Sequence, residues 1–251
     1  MSLVICYAAK GGVGTTFLAA QLALSAARRG REVTAVDLTG QDSLKLHFGV
    51  LPSQSVPDFD SSSREMMSIA DVNLIGASAS QQKNILLDRA EGGAFADDDH
   101  HLVIADIASG DRDLFDALIP YADLNLSALL PDPASLASLT QLARDVPVPK
   151  MTKTAFVLNQ LDDRRKLSRH THRFVQEIFG DQLIATVRRD EAVLEALANF
   201  EMLSKGAPQS VVLPDLEKLA DAVLARCSMA GTDAQVGRRP AADSVEAVRA
   251  G

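Results

Sequence analysis

Eight residues near the start of the chain, Ala9-Lys10-Gly11-Gly12-Val13-Gly14-Thr15-Thr16, constrain its fold more than any other stretch. Ahead of them stands Leu3-Val4-Ile5-Cys6-Tyr7, a short apolar run of strand formers. Behind them, residues 17–29 carry apolar side chains at helical spacing with alanine in plenty. Strand, glycine turn and helix, in that order, make a cradle for phosphate. Glycines let the backbone bend and come close to a ligand. Successive loop N–H groups then point inward, and the helix N-terminus adds partial positive charge. The Thr16 hydroxyl, at the end of the loop, is placed to ligate Mg2+ beside the phosphates.

Against the usual phosphate loop, G-x-x-x-x-G-K-[ST], Gly14 and Thr16 match. Ala9 replaces the first glycine, and Thr15 replaces the lysine before the hydroxyl. A lysine instead opens the glycine run, as Lys10. Lys10-Gly11-Gly12-Val13-Gly14 resembles the deviant Walker A loop of the ParA/MinD family, which usually reads K-G-G-x-G-K-T. The resemblance implies that Lys10 reaches across a nucleotide-sandwich homodimer to the partner's phosphates. It also implies that Gly11, Gly12, Val13, Gly14, Thr15 and Thr16 cradle ATP. The missing second lysine normally touches the β- and γ-phosphates, so nucleotide handling is weakened or altered. Two other readings remain: a bare turn, and a dinucleotide loop. For the latter, Gly12-Val13-Gly14 supplies G-x-G and Asp37 a ribose partner, but Phe17 stands where the third glycine belongs.

A length of 251 residues, 47% of them apolar, suits one α/β domain with a large core. With no Trp and few aromatics, that core is built from Leu, Val, Ile and Ala. The net charge of −8 argues against charge-driven nucleic-acid binding. Cys6 and Cys227 have neither metal-site nor disulfide-framework spacing. No apolar run approaches the ~18 residues of a membrane span. The N-terminus enters a strand rather than a signal peptide, so a cytoplasmic location is expected.

Further strands are expected at 32–37, 72–76, 102–106, 126–130 and 154–158. Helices are expected at 80–90, 133–144, 164–179, 190–198 and 213–226, with exposed loops at 52–63 and 91–101. Alternation of the two implies parallel strands and right-handed crossovers. The expected fold is α/β, P-loop NTPase-like, with a mostly parallel central sheet flanked by helices on both faces. Residues 1–227 form a single nucleotide-binding domain, and 228–251 read as a disordered tail. Ligands of such sheets gather at the carboxyl ends of the strands. The glycine loop, Asp37, Asp106 and Asn159 all fall there.

Asp106 closes an apolar strand, where a carboxylate can hold Mg2+ with Thr16; the alternative is a cap for the helix near Asp111 and Asp113. Asp37 also ends its strand and is assigned to the metal shell or to the switch loop. In the resembled family this strand ends D-x-D, and the second acid positions the attacking water. Here Thr39 takes that place, and a hydroxyl cannot act as a carboxylate base. Asp42 substitutes only if its loop folds back. Slow or absent hydrolysis is therefore expected, and no catalytic residue is assigned.

The resemblance gives Asn159 a contact with the adenine base, beside the alternative of a turn-forming Asn. It places Arg189 and Asp190, in the run Arg188-Arg189-Asp190-Glu191-Ala192, near the base as well. The R-D-E-A element, the G-G-V-G-T-T loop and the D-x-[not D] strand ending together are similar, more narrowly, to the cellulose biosynthesis BcsQ (YhjQ) family. That likeness implies an ATP-dependent homodimer acting with other cellulose secretion-system subunits, cytoplasmic and peripheral at the inner membrane through those partners. The rivals are an active partitioning-type ATPase positioning DNA or a polar apparatus, and a nucleotide-free scaffold. The basic run 164–173 reads as a solvated helix face, Asp97-Asp98-Asp99-His100-His101 as a solvated loop, and helix 213–226 as core-packing.

Overall fold

Strands that are apolar on both sides are stable only when both faces of their sheet are covered. The computed structural model, which describes residues 2–59, 67–77, 79–93, 100–135, 137 and 152–237, has that arrangement. Seven strands run parallel: β1 (Ser2–Cys6), β2 (Glu32–Asp37), β4 (Val72–Gly76), β5 (His101–Asp106), β6 (Leu124–Leu129), β7 (Thr154–Leu161) and β8 (Leu183–Arg188). A short β3 (Met67–Ile69) lies antiparallel on the edge beside β4. The order across the sheet is β3-β4-β2-β5-β1-β6-β7-β8.

Side chains alternate between the two faces, as the pleat requires. Val4, Cys6, Ala35, Ile104 and Val157 pack in one cluster with α1 (Thr15–Arg28) and α7 (Val212–Gly237). Leu3, Ile5, Val36, Val103 and Ala105 face the other way, against α2 (Ser80–Glu91) and α3 (Arg112–Leu118). On that second face Phe156, Leu158 and Leu161 of β7 meet Val175 of α4 (Lys166–Phe179). Two short helices, α5 (Ala192–Ala198) and α6 (Leu203–Gly206), lie between β8 and α7. Alanines let α1 press close to the sheet: Ala19, Ala20, Ala23 and Ala26 are fully buried.

The sheet and its layers agree with the fold expected from the sequence; β3, α3 and α6 are additional short elements, and the other differences sit at element ends. β6 starts two residues before the expected 126. β7 runs past 158 to Leu161, through a register irregularity between Leu158 and Leu161 and a left-handed Gln160 (φ 55). Asn159 is therefore inside a strand rather than at its end. α5 begins at Ala192, after the expected 190: Glu191 is its N-cap, and Asp190 lies before it in a turn closed by Ala192 N–H. α7 continues through the expected domain end at 227 to Gly237, while 238–251 lie outside the described residues. Also outside them are Asp97, Asp98 and Asp99, the end of the 52–63 loop, and most of the helix expected at 133–144. No described helix is long and apolar enough to cross a membrane.

Candidate functional site

β1, β2 and β5 are neighbours, so their carboxyl ends converge: Cys6 and Asp37 each lie in register with Asp106. The glycine loop leaves this edge and enters α1. Gly12 (φ 75) and Gly14 (φ 90) adopt the left-handed backbone that glycine alone takes without strain. Gly14 is the N-cap of α1 and offers no side-chain hydrogen bond, so the first-turn N–H groups are left for a ligand. A Cβ on Gly14 would lie 2.4 Å from Asn159 Nδ2. That close approach has a purpose: Asn159 Nδ2 donates to the Val13 carbonyl at 2.8 Å, and its Oδ1 accepts from Gln160 N–H at 3.0 Å. Asn159 braces the loop from below and still reaches the cleft wall.

Asp106 is 1% exposed, and neither carboxylate oxygen accepts a hydrogen bond. The Thr16 hydroxyl lies beside it, near enough to favour the ionised form but short of good hydrogen-bond geometry. Burial pushes the Asp106 carboxyl up to about 7, with Thr16 opposing and the Asp37 charge adding to the rise. A buried carboxylate without a donor is costly, and a cation relieves it. Asp106 and the Thr16 hydroxyl therefore fit Mg2+, which takes oxygen ligands and keeps most of its shell for water and phosphate. Among the described residues no group of three His, Cys, Asp or Glu is set to hold a metal by itself.

Asp37 is 4% exposed and engaged through both oxygens. Its Oδ1 accepts from Thr39 N–H (2.8 Å) and the Thr39 hydroxyl (2.6 Å), and its Oδ2 from Leu44 N–H (3.0 Å). These bonds tie Asp37 to the loop after β2, and Oδ2, with a single donor, keeps acceptor capacity. Thr39, where the resembled family has an acid, lines the cleft. Asp42 does not fold back to replace it: its carboxylate pairs with Lys45, whose buried ammonium also donates to the Gln54 carbonyl at 2.7 Å.

The cleft above these residues measures about 630 Å³. Lys10, Gly11, Gly12, Gly14, Thr15, Thr16, Asp106, Asn159, Arg189 and Asp190 all line it; Val13 and Asp37 lie beneath. The Lys10 ammonium bonds both oxygens of Asp132, at 3.2 and 3.1 Å. Burial would raise the Asp132 carboxyl, but the Ser135 N–H and Lys10 hold it below the usual carboxylate range. Asp190 accepts from the Ser210 hydroxyl (2.7 Å) and from Ala192 N–H (3.1 Å), which hold its carboxyl low and fix the loop before α5. Arg189 folds onto Glu191 at 2.6 Å.

Several wall residues were not singled out from the sequence. Arg188 ends β8 and is held by Asp215 of α7 at 2.8 Å. Phe17 and His47 meet edge-on, 5.7 Å between ring centres, and burial pushes His47 down to about 4, so the imidazole is neutral. Leu194 and Leu197 of α5 add apolar surface to the cleft wall. Only the 3.6-residue period of α5 hinted at this, since it marks a helix but not which cleft the helix borders.

A model for the CobQ/CobB/MinD/ParA nucleotide binding domain matches residues 4–203. The chain belongs to this family. The match spans the glycine loop, Asp37, Asp106, Asn159 and the 188–191 loop. No curated protein matches at a significant level. Among solved structures, the chain is similar to a ParA family ATPase from Chlorobium tepidum TLS (20% identity, TM-score 0.68, covering 87% of this chain and 97% of that one). It is also similar to the septum site-determining protein MinD complexed with Mg-ADP from Pyrococcus horikoshii OT3 (20%, TM-score 0.66, 89% and 96%). A third is an ATP complex of McdA from Cyanothece (18%, TM-score 0.58, 91% and 96%). At these identities the likeness establishes the mostly parallel ParA/MinD fold. The narrower BcsQ grouping rests on sequence motifs alone.

Proposed function

We propose that the protein is an ATP–Mg2+-binding switch of the ParA/MinD type that dimerises around nucleotide and hydrolyses it slowly or not at all. The observation that carries this reading is the buried, donorless carboxylate of Asp106 beside Thr16, at the foot of an uncapped helix N-terminus. One group calls for a cation and the other for an anion, and nucleotide–Mg2+ supplies both. Bound Mg2+ would neutralise phosphate charge next to Asp106. The glycine-loop amides bind the phosphates, Thr16 orients the metal's shell, and the wall formed by Leu194 and Leu197 accepts an apolar ring. Thr15 and Thr39 offer hydroxyls where a lysine and an acid support turnover, so binding outlasts chemistry.

For the process served, regulation of cellulose synthesis and secretion at the inner membrane is supported by the R-D-E-A element and the altered loop. A partitioning-type role is supported by the structural neighbours, which include a plasmid partition protein from Borrelia burgdorferi. Turnover separates the two, because positioning by cycling needs hydrolysis.

Lys10→Ala tests the dimer. ATP-dependent dimerisation, followed by light scattering at matched protein concentration, is expected to disappear while the monomer stays folded. An unchanged dimer would remove Lys10 from the interface.

A further inference from the structure

The geometry points to Asp132 as a positioning residue that holds Lys10 within its own protomer and so restrains ATP-dependent dimerisation until nucleotide competes for the ammonium. This rests on the dimeric switch proposed above and adds a regulatory contact to it. Lys10 follows β1 and Asp132 follows β6, adjacent parallel strands, so the fold brings Asp132 within reach of Lys10, which lines the cleft. The contact is two-pronged, 3.2 Å to Oδ1 and 3.1 Å to Oδ2.

The acceptor is built in advance of the lysine. Asp132 stands between Pro131 and Pro133, whose rings restrict the backbone on both sides. Its Oδ1 accepts from Ser135 N–H at 2.6 Å, and the Ser135 hydroxyl in turn accepts from Leu130 N–H at 3.1 Å. Little side-chain freedom is lost when Lys10 arrives.

The contact is also made to be broken. The two side chains keep 32% and 34% of their exposure, so the pair is a partly solvated one of modest strength. A triphosphate carries more negative charge than one carboxylate and outcompetes it. With two of its three donors on Asp132, the Lys10 ammonium has to give up that contact to place its charge squarely on a partner's phosphates. Each protomer therefore opens one such contact as the dimer forms. If each holds back association by about three- to five-fold, two together hold it back by about 10- to 25-fold.

Asp132→Asn is the informative variant, because the amide oxygen can still accept from Ser135 N–H while the charge is gone. The expected result is a gain: ATP-dependent dimer association, read by analytical ultracentrifugation, about 10- to 25-fold stronger than in the unaltered chain. The gain is reversed by Asp132→Glu, which restores the charge. A merely structural role predicts loss instead. A second readout needs no dimer: acetic anhydride labelling of nucleotide-free protein, followed by mass spectrometry of the Lys10 peptide. Lys10 is expected to acylate faster, relative to the other lysines, in Asp132→Asn. Where the unaltered chain dimerises, equal or weaker association of Asp132→Asn overturns the restraint. If no variant dimerises with ATP, the dimer reading fails and labelling decides: faster acylation keeps the Lys10–Asp132 restraint, and an unchanged rate overturns it.

Discussion

Replacing Asp106 with Asn raises the melting temperature of the nucleotide-free protein and abolishes the further rise that ATP with Mg2+ gives the unaltered chain. Stabilisation by removing a carboxylate is unusual, and it follows from the site. Asp106 is buried, accepts no hydrogen bond, and has its carboxyl raised from 3.8 to about 7, by burial first and by the Asp37 charge as well. The sign follows from proton linkage. Below about 3.8 the group is neutral folded and unfolded, and contributes nothing. Between there and about 7 the folded chain binds the extra proton, so stability falls as pH rises. Above about 7 the whole penalty is present. At about 1.4 kcal/mol per pKa unit, less the cost of burying an amide, Asp106→Asn recovers about 2 kcal/mol, or roughly 4–8 °C for a chain of this size. The gain shrinks as pH falls towards about 4. Thermal melts from about pH 5 to 8, with and without ATP and Mg2+, check all three features. A variant destabilised throughout would mean that Asp106 is held by partners other than a metal.

Thr15→Lys combined with Thr39→Asp raises ATP turnover by about 10- to 100-fold over the unaltered chain. Both positions line the cleft. Lysine at 15 restores an ammonium for the terminal phosphates, and aspartate at 39 restores a carboxylate that can orient water. Each alone gives little, since one stabilises charge and the other positions the nucleophile. The double variant costs about 1–2 kcal/mol of stability. It loses the 2.6 Å bond from the Thr39 hydroxyl to Asp37 and sets two carboxylates close together. Phosphate release under saturating ATP and Mg2+ reads the outcome. An unaltered chain that already matches the double variant would show that other groups supply catalysis, and the partitioning-type reading would gain.

What could be read in the sequence is what short-range chemistry dictates. Gly12 and Gly14 announce left-handed backbone, and they have it. Asp106 announces itself by ending a run of buried aliphatics. The central strands were legible because residues buried on both faces read as unbroken apolar runs. β3 was not, being three residues long and on the edge. α3 was not, because seven residues carry too little helical period. In the site, the illegible part is long-range pairing. Nothing near Asn159 says that its amide holds the Val13 carbonyl 146 positions away, and nothing near Lys10 names Asp132 as its partner. Lys45 reads as a surface lysine, yet it is 5% exposed with its ammonium capping loop carbonyls. Such contacts depend on which strand ends the topology makes neighbours, and strand order is not written in any local window.

The most direct test of the central claim is the identity of the nucleotide that stays with the protein. The purified chain would be incubated with ATP and Mg2+, freed of unbound nucleotide and denatured, and the released nucleotide would be identified by chromatography. Retention of intact ATP is the predicted result, lost in Asp106→Asn. Release of ADP alone would contradict slow hydrolysis, and release of no nucleotide would contradict the ATP-binding site itself.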